Sequence, residues 1–208
     1  QVAHFDLERA IPSAGMVKGL NTLIPSDIRV LEVAEVDATF HARYSAQSKT
    51  YRYYLDPTPV TSPFRNRFTL HYPHNLDRDD LREAATSFLG KHDFAAFRAA
   101  ACNAKTTTRV VSVSEWVEER GELIYQVAAS GFLYHMVRNL VGTMLEMGRK
   151  KTSVCSMVSI LDSRDRTRAG PTAPPHGLHL EGVSYAPGSL VGTKGPQPPS
   201  PHVKEKGG

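Results

Sequence analysis

Arg109-Val-Val-Ser-Val-Ser-Glu-Trp-Val117 alternates apolar and polar residues, breaks at Glu118-Glu119-Arg120-Gly121, and alternates again through Glu122-Leu-Ile-Tyr-Gln-Val-Ala-Ala-Ser130. A period of two places successive side chains on opposite faces of a strand. Two such runs joined by a short polar segment with a glycine predict an antiparallel hairpin. The next residues change period. From Phe132 to Met147, the residues Leu133, Met136, Val137, Leu140, Val141 and Met144 form one apolar stripe at helical spacing. A strand pair followed at once by an amphipathic helix predicts an α+β fold, with an antiparallel or mixed sheet and helices packed on one face.

Working outward, Ser153 to Leu161 reads as a second helix and Leu178 to Tyr185 as a last strand. Upstream, Asp77 is suited to cap a helix carrying Leu81, Ala84, Ala85, Phe88 and Leu89, with Gly90 as its stop. Arg67 to Tyr72 predicts a strand with Phe68, Leu70 and Tyr72 on one face. Phe40 to Leu55 predicts one long strand or two joined by a bulge. Ile28 to Val36 reads as a strand after a short helix around Met16 to Leu23. Gln1 to Asp6 reads as the middle of a strand, which predicts that these residues belong to a longer protein.

The chain has 208 residues, 40% of them apolar and 22% charged, enough for one large domain or two small ones. Collagen-like, coiled-coil and wholly disordered chains are excluded by this composition. The longest apolar-leaning run, Leu123 to Val137, is shorter than the roughly 20 residues that span a bilayer. Cys102 and Cys155 have no metal-ligand spacing and make no disulfide framework, which suits a reducing, cytoplasmic compartment. Residues 186–208 hold five prolines and five glycines and predict a disordered tail. The tail carries +2 of the net +4, so a basic surface on the body has to come from local clustering.

Four clusters bear chemistry. In Lys49-Thr50-Tyr51-Arg52-Tyr53-Tyr54, Tyr51 and Tyr53 share a strand face and offer rings to a nucleobase, while Arg43, Lys49 and Arg52 suit phosphates. On the strong helix, His135, Arg138 and Asn139 are expected opposite the apolar stripe, in the first two turns, where an anion is favoured. Arg98, after Phe94-Ala95-Ala96-Phe97, opens an irregular basic stretch with Lys105 and Arg109 that suits a binding loop. Arg164-Asp165-Arg166-Thr167-Arg168 reads as a solvated charge run or a phosphate-facing loop. Phosphate-cradling glycine loops, a nucleophile elbow and zinc spacing are missing from the sequence, which points to no cofactor and no metal.

Taken together, these residues resemble the TruA family of tRNA pseudouridine synthases. The resemblance starts at Gln1-Val2-Ala3-His4-Phe5 and Asn21-x-x-Ile24-Pro25-x-Asp27-Ile28. It continues through Phe40-His41-Ala42-Arg43-Tyr44-Ser45-Ala46 and Tyr51-Arg52-Tyr53 to Asp93-Phe94-x-x-Phe97-Arg98 and Arg109. It closes on Phe132-x-x-His135-Met136-Val137-Arg138-Asn139-x-Val141-Gly142, Asp165-Arg166 and Pro174-x-x-Gly177-Leu178. The resemblance implies isomerisation of uridine to pseudouridine at positions 38 to 40 of the tRNA anticodon stem-loop, without cofactor, by a homodimer of two α+β halves around a basic cleft. Residues 1–60 would belong to the first half, 61–185 to the second and 186–208 to the tail.

By the same resemblance Tyr51 stacks on the target base and Arg138 pairs with the catalytic aspartate, while the clusters above make Arg43, Arg52, Arg98 and His135 expected substrate contacts. The family's Gly-Arg-Thr-Asp-Ala-Gly-Val-His motif would fall ahead of Gln1. The resemblance therefore implies a chain that is inactive by itself and destabilised by an unpaired Arg138, a buried broken pair costing about 3–5 kcal/mol. The alternative is a catalytically inactive RNA-binding fragment of the same family.

Overall fold

Arg120 and Gly121 have backbone φ angles of 52° and 83°. Two consecutive residues in the left-handed region make the tight hairpin turn whose twist matches that of its strands. The register confirms it, with Glu119 opposite Glu122. This computed structural model describes residues 1–150 and 156–189. The start of the helix expected from Ser153 and most of the expected tail lie outside the described residues.

In chain order the elements are α1 (Ser13–Leu23), β1 (Ala46–Asp56), β2 (Leu70–His71), α2 (Arg78–Thr86), β3 (Gly90–Asp93), β4 (Thr108–Glu119), β5 (Glu122–Ala129), α3 (Met136–Gly148), α4 (Ser156–Ser163) and β6 (Leu178–Tyr185). The sheet runs β2-β1-β5-β4-β3, with β6 also paired to β1. β1 and β4 flank β5 antiparallel, and β2 joins β1 parallel. Helices α2 and α3 pack on one another and over one sheet face, so the fold is α+β. Tyr53, Leu55, Leu123, Tyr125 and Val127 from the sheet meet Leu81, Phe88, Met136, Leu140 and Met144 in the core.

β4 is not a regular alternation. Val111 faces inward, but so do Ser114 and Trp116, which stand at the opposite parity. A bulge between Val111 and Val113 absorbs the extra residue and resets the phase. Ser114 can then be buried because its hydroxyl bonds the Ala85 carbonyl at 2.7 Å and the Tyr125 hydroxyl at 2.8 Å. Trp116 donates its indole N–H to Met144 Sδ at 3.3 Å, joining the hairpin to α3.

Asp77 caps α2 as expected, accepting from the Asp79 and Asp80 amides at 3.1 Å each. The helix stops at Thr86, before Phe88 and Leu89, and Gly90, with φ of 95°, opens β3. Other expectations need correction. Gln1 to Asp6 form no strand. Ile28 to Val36 form none either, because the Asn21 side chain donates to the Val30 carbonyl at 2.8 Å and accepts from its amide at 2.9 Å. An amide side chain thus replaces a neighbouring strand. Phe40 to Ser45 turn on themselves, with Ser45 N bonded to His41 O, so the strand starts at Ala46. Phe68 is exposed and Thr69 buried, since both amides bond the Arg65 carbonyl and the strand shrinks to Leu70 and His71.

Two compact units result. Among the described residues, one comprises Gln1 and Gln47–Ser184, and the other Val2–Ala46 together with residues 185–189. Within the second, His4, Phe40, His41 and Tyr185 make a small aromatic cluster. Among the described residues no helix is long and apolar enough to cross a membrane.

Candidate active site

Arg138 is held from both sides of its own residue. Its Nε donates to the Ala173 carbonyl at 2.6 Å, and its carbonyl accepts from the Ala173 amide at 3.1 Å. The segment Gly170–Pro174 thus lies as a strap across the start of α3. It comes this close because residue 142 is glycine. A Cβ there would stand 1.7 Å from the Pro171 carbonyl oxygen. The strap is fixed again where the Gly170 amide donates to Thr143 Oγ1 at 2.9 Å and the Tyr53 hydroxyl donates to the Pro174 carbonyl at 2.8 Å. Burial raises the Tyr53 phenol far above its ordinary value against the opposing charge of Arg138, so it remains a donor.

Arg138 is half-buried, and among the described residues no carboxylate pairs with it. The charge expected to lack a carboxylate does lack one among the described residues, but Arg138 is only partly buried and its Nε has a carbonyl partner. A half-buried guanidinium with free donors is a natural receptor for a carboxylate or phosphate.

His135 stands beside it. The expected helix over Phe132–Met147 begins only at Met136, because His135 adopts the left-handed conformation, with φ of 58° and ψ of 8°. Such a conformation costs a non-glycine residue roughly 1–3 kcal/mol and needs support. The support is visible: its ring stacks on Tyr134 at 3.9 Å, and Nε2 lies 3.2 Å from Arg138 Nη1. Burial first, and then the Arg138 charge, push the imidazole pKa below its usual value. The neutral ring can accept from Arg138.

Tyr51 stands on the same face of β1 as Tyr53, one pleat away. It is half-buried, edge-on to Phe132 with centroids 5.0 Å apart, and burial raises its phenol pKa. Among the described residues its hydroxyl has no hydrogen bond. Phe132 props the Tyr51 ring from the side, which leaves the ring able to accept a second flat group. Tyr51, Tyr53, His135 and Arg138 are thus brought to one face by β1, α3 and the strap.

Other predicted residues are placed differently. Arg52 points to the opposite face, where Nη2 bonds Glu119 at 2.5 Å and Nε bonds Gln126 at 3.1 Å. Asn139 is fully buried rather than on a solvated face, its side chain bonded to Phe97 O at 2.7 Å. Arg98 is exposed at the end of the turn Ala95–Phe97, and the loop after it is pinned to the segment just ahead of α3 through Ala99 N and Tyr134 O at 3.1 Å. Arg98 and Arg109 both act on Cys102, whose thiol is lowered first by the Tyr134 and Ala104 amides and then by these two charges. A small positive flank therefore borders the start of α3. Arg43 lies in the other unit, exposed, with its guanidinium over the Tyr44 ring at 5.8 Å. The run Arg164–Arg168 is largely the solvated charge run expected, with Arg164 and Arg168 exposed although each has a partner. Arg164 pairs with Asp93 at 3.0 Å, Arg168 bonds Ser159 at 2.7 Å, and Arg166 is drawn inward.

Tyr53, expected to offer its ring to a nucleobase, is fully buried and instead anchors the strap through its hydroxyl, and sequence reasoning missed this role of Tyr53 and that of Gly142 as site-builders. Their signal was a tyrosine two residues from Tyr51 and a glycine four after Arg138, on the same side of the helix.

Comparison with known proteins bears on this arrangement. Residues 84–186 match a family described as tRNA pseudouridine synthase. The chain is 42% identical to tRNA pseudouridine synthase A of Bacillus pumilus over 185 residues, covering 89% of this chain and 75% of that protein. It is 42% identical to tRNA pseudouridine synthase A of Chromobacterium violaceum, covering 89% and 71%, and 41% identical to that of Halalkalibacterium halodurans, covering 95% and 75%.

Proposed function

This chain belongs to the tRNA pseudouridine synthase family, and on that premise we propose that it isomerises uridines 38 to 40 of the tRNA anticodon stem-loop, with Tyr51 and Arg138 at the reacting base. The observation that carries the reading is an arginine that has no carboxylate partner among the described residues and is fixed by a backbone carbonyl, on the same sheet face as a tyrosine propped by Phe132.

The chemistry assigns each group a task. The C1′–N1 bond of uridine breaks, the uracil turns, and a C1′–C5 bond forms, with the C5 proton leaving and N1 regaining one. A carboxylate starts the reaction as nucleophile or base, and it has to stay ionised inside a closed RNA complex. A fixed cation beside it favours the charged form. Arg138 is that cation, and the aspartate motif that the resemblance puts ahead of Gln1 would supply its partner. The base leaves its stack to react, and Tyr51 offers the receiving surface, worth about 1–3 kcal/mol. Neutral His135 keeps Arg138 aimed without adding a competing charge. Arg98 and Arg109 bind phosphates on the flank, Arg43 adds a further phosphate contact, and Arg52 supports the sheet from behind. The working enzyme is a cytoplasmic homodimer, as the family resemblance implies.

The test is pseudouridine mapping in unmodified tRNA with the protein as the cell makes it, against Arg138→Ala. Modification at positions 38 to 40 is expected, nearly abolished in the variant while tRNA binding persists. Normal turnover by Arg138→Ala, or pseudouridine confined to other positions, overturns the reading.

A further inference from the structure

One guanidinium ties the strap to the helix that carries Arg138. Arg166 Nη1 donates to the carbonyls of Ala169 at 3.2 Å and Gly170 at 3.0 Å, and its Nη2 donates to Asn139 Oδ1 at 3.2 Å and Thr172 Oγ1 at 3.1 Å. The Thr172 hydroxyl donates to the same Oδ1 at 2.6 Å. Asn139 Nδ2 donates to Phe97 O at 2.7 Å, which fixes which way the amide faces. Asn139 adjoins Arg138 in the chain, and Thr172 adjoins Ala173, whose carbonyl receives Arg138 Nε. We infer that Arg166 is a positioning residue for Arg138: by bridging Asn139 and Thr172 it sets the distance between α3 and the strap, and with it the direction of the Arg138 guanidinium.

The inference rests on the role given to Arg138 above. Arg166 itself touches no group at the reacting face, so its effect passes through the bond at Ala173. The planar fork suits this task. Two terminal nitrogens reach four acceptors on four residues, which a lysine ammonium cannot span. The junction is anchored on a buried amide, since Asn139 is fully buried and each of its polar side-chain atoms has a partner. A shift there leaves a buried polar group without its partner.

The experiment measures single-turnover pseudouridine formation and tRNA Kd for Arg166→Met and Arg166→Lys in the protein as the cell makes it. A displacement of about 1 Å at a reacting centre lowers a rate on the order of 100-fold. Arg166→Met is expected to lose about that factor with Kd within about threefold, and Arg166→Lys to lose less. The same change is then made in an Arg138→Lys background. If Arg166 acts through Arg138, it removes little further rate there, because the two losses are not additive. Equal losses in both backgrounds, or a full rate for Arg166→Met alone, overturn the inference. If Arg166→Met does not fold, Thr172→Val removes one bridge atom at nearly constant shape. A rate about tenfold lower at unchanged Kd supports the inference, and an unchanged rate overturns it. Failure of the underlying reading looks different: Arg138→Ala would then itself turn over normally.

Discussion

Gly142→Ala puts the seating of the strap to a direct test. On an exposed helix this change stabilises by about 1 kcal/mol, since alanine is the better helix former. Here the added Cβ would stand 1.7 Å from the Pro171 carbonyl oxygen and 2.9 Å from its carbon, both backbone atoms that cannot rotate away. Restoring a normal contact near 3.4 Å requires the strap to retreat by roughly 1.5 Å, and overpacking of this kind typically costs about 1–3 kcal/mol. A retreat of that size also breaks Gly170 N to Thr143 Oγ1, Ala173 N to Arg138 O and Arg138 Nε to Ala173 O. Each is worth about 1 kcal/mol. Three such bonds plus the overpacking, less the helix gain, leave a net loss of about 3–5 kcal/mol. For a domain of this size 1 kcal/mol corresponds to about 2–4 °C, so the midpoint should fall by at least 6 °C. Thermal unfolding followed by circular dichroism measures it, and single-turnover rates below the lowered midpoint should fall as well, because Arg138 loses its anchor. An unchanged Tm with unchanged turnover would refute the close strap and the account of Arg138 built on it.

Other outcomes follow from the same geometry. Tyr51→Phe keeps the ring propped on Phe132, so tRNA affinity should stay within about threefold, whereas Tyr51→Ala loses stacking worth about 1–3 kcal/mol, or roughly 5- to 150-fold in Kd by filter binding. Arg52→Met should lower stability by no more than about 1 kcal/mol, the value of a partly exposed ion pair, and leave tRNA affinity unchanged; a large affinity loss would put Arg52 back among the RNA contacts. The His135 ring should titrate by NMR below 6.5, and Arg138→Gln should move it upward, since one of its two depressing influences is removed. The linkage has a definite sign. A histidine with a depressed folded pKa leaves stability untouched above its unfolded value of about 6.5 and lowers it as pH falls below, because the unfolded chain then binds the proton more readily.

Periodicity alone was enough for the hairpin, the cap at Asp77, the last strand and the amphipathic helix, because each is set by contacts between near neighbours in the chain. Motif strings likewise pointed to the family and to Tyr51 and Arg138. Where sequence reading went astray, a distant group had intervened. Ile28–Val36 has the composition of a strand, but its Val30 bonds the Asn21 side chain instead of a neighbouring strand. Val111 to Trp116 needs a bulge whose position depends on which residues β5 and the helices bury. Asn139 and Arg166 read as solvated polar residues on local pattern, and become a buried junction only because the strap returns 27 residues later to the same helix. Local spacing determines which elements form and which residue types are present. The tertiary fold decides which polar groups leave water together, and so why Arg138 is held by the strap while Arg52 is tied to Glu119 and Gln126 on the opposite sheet face.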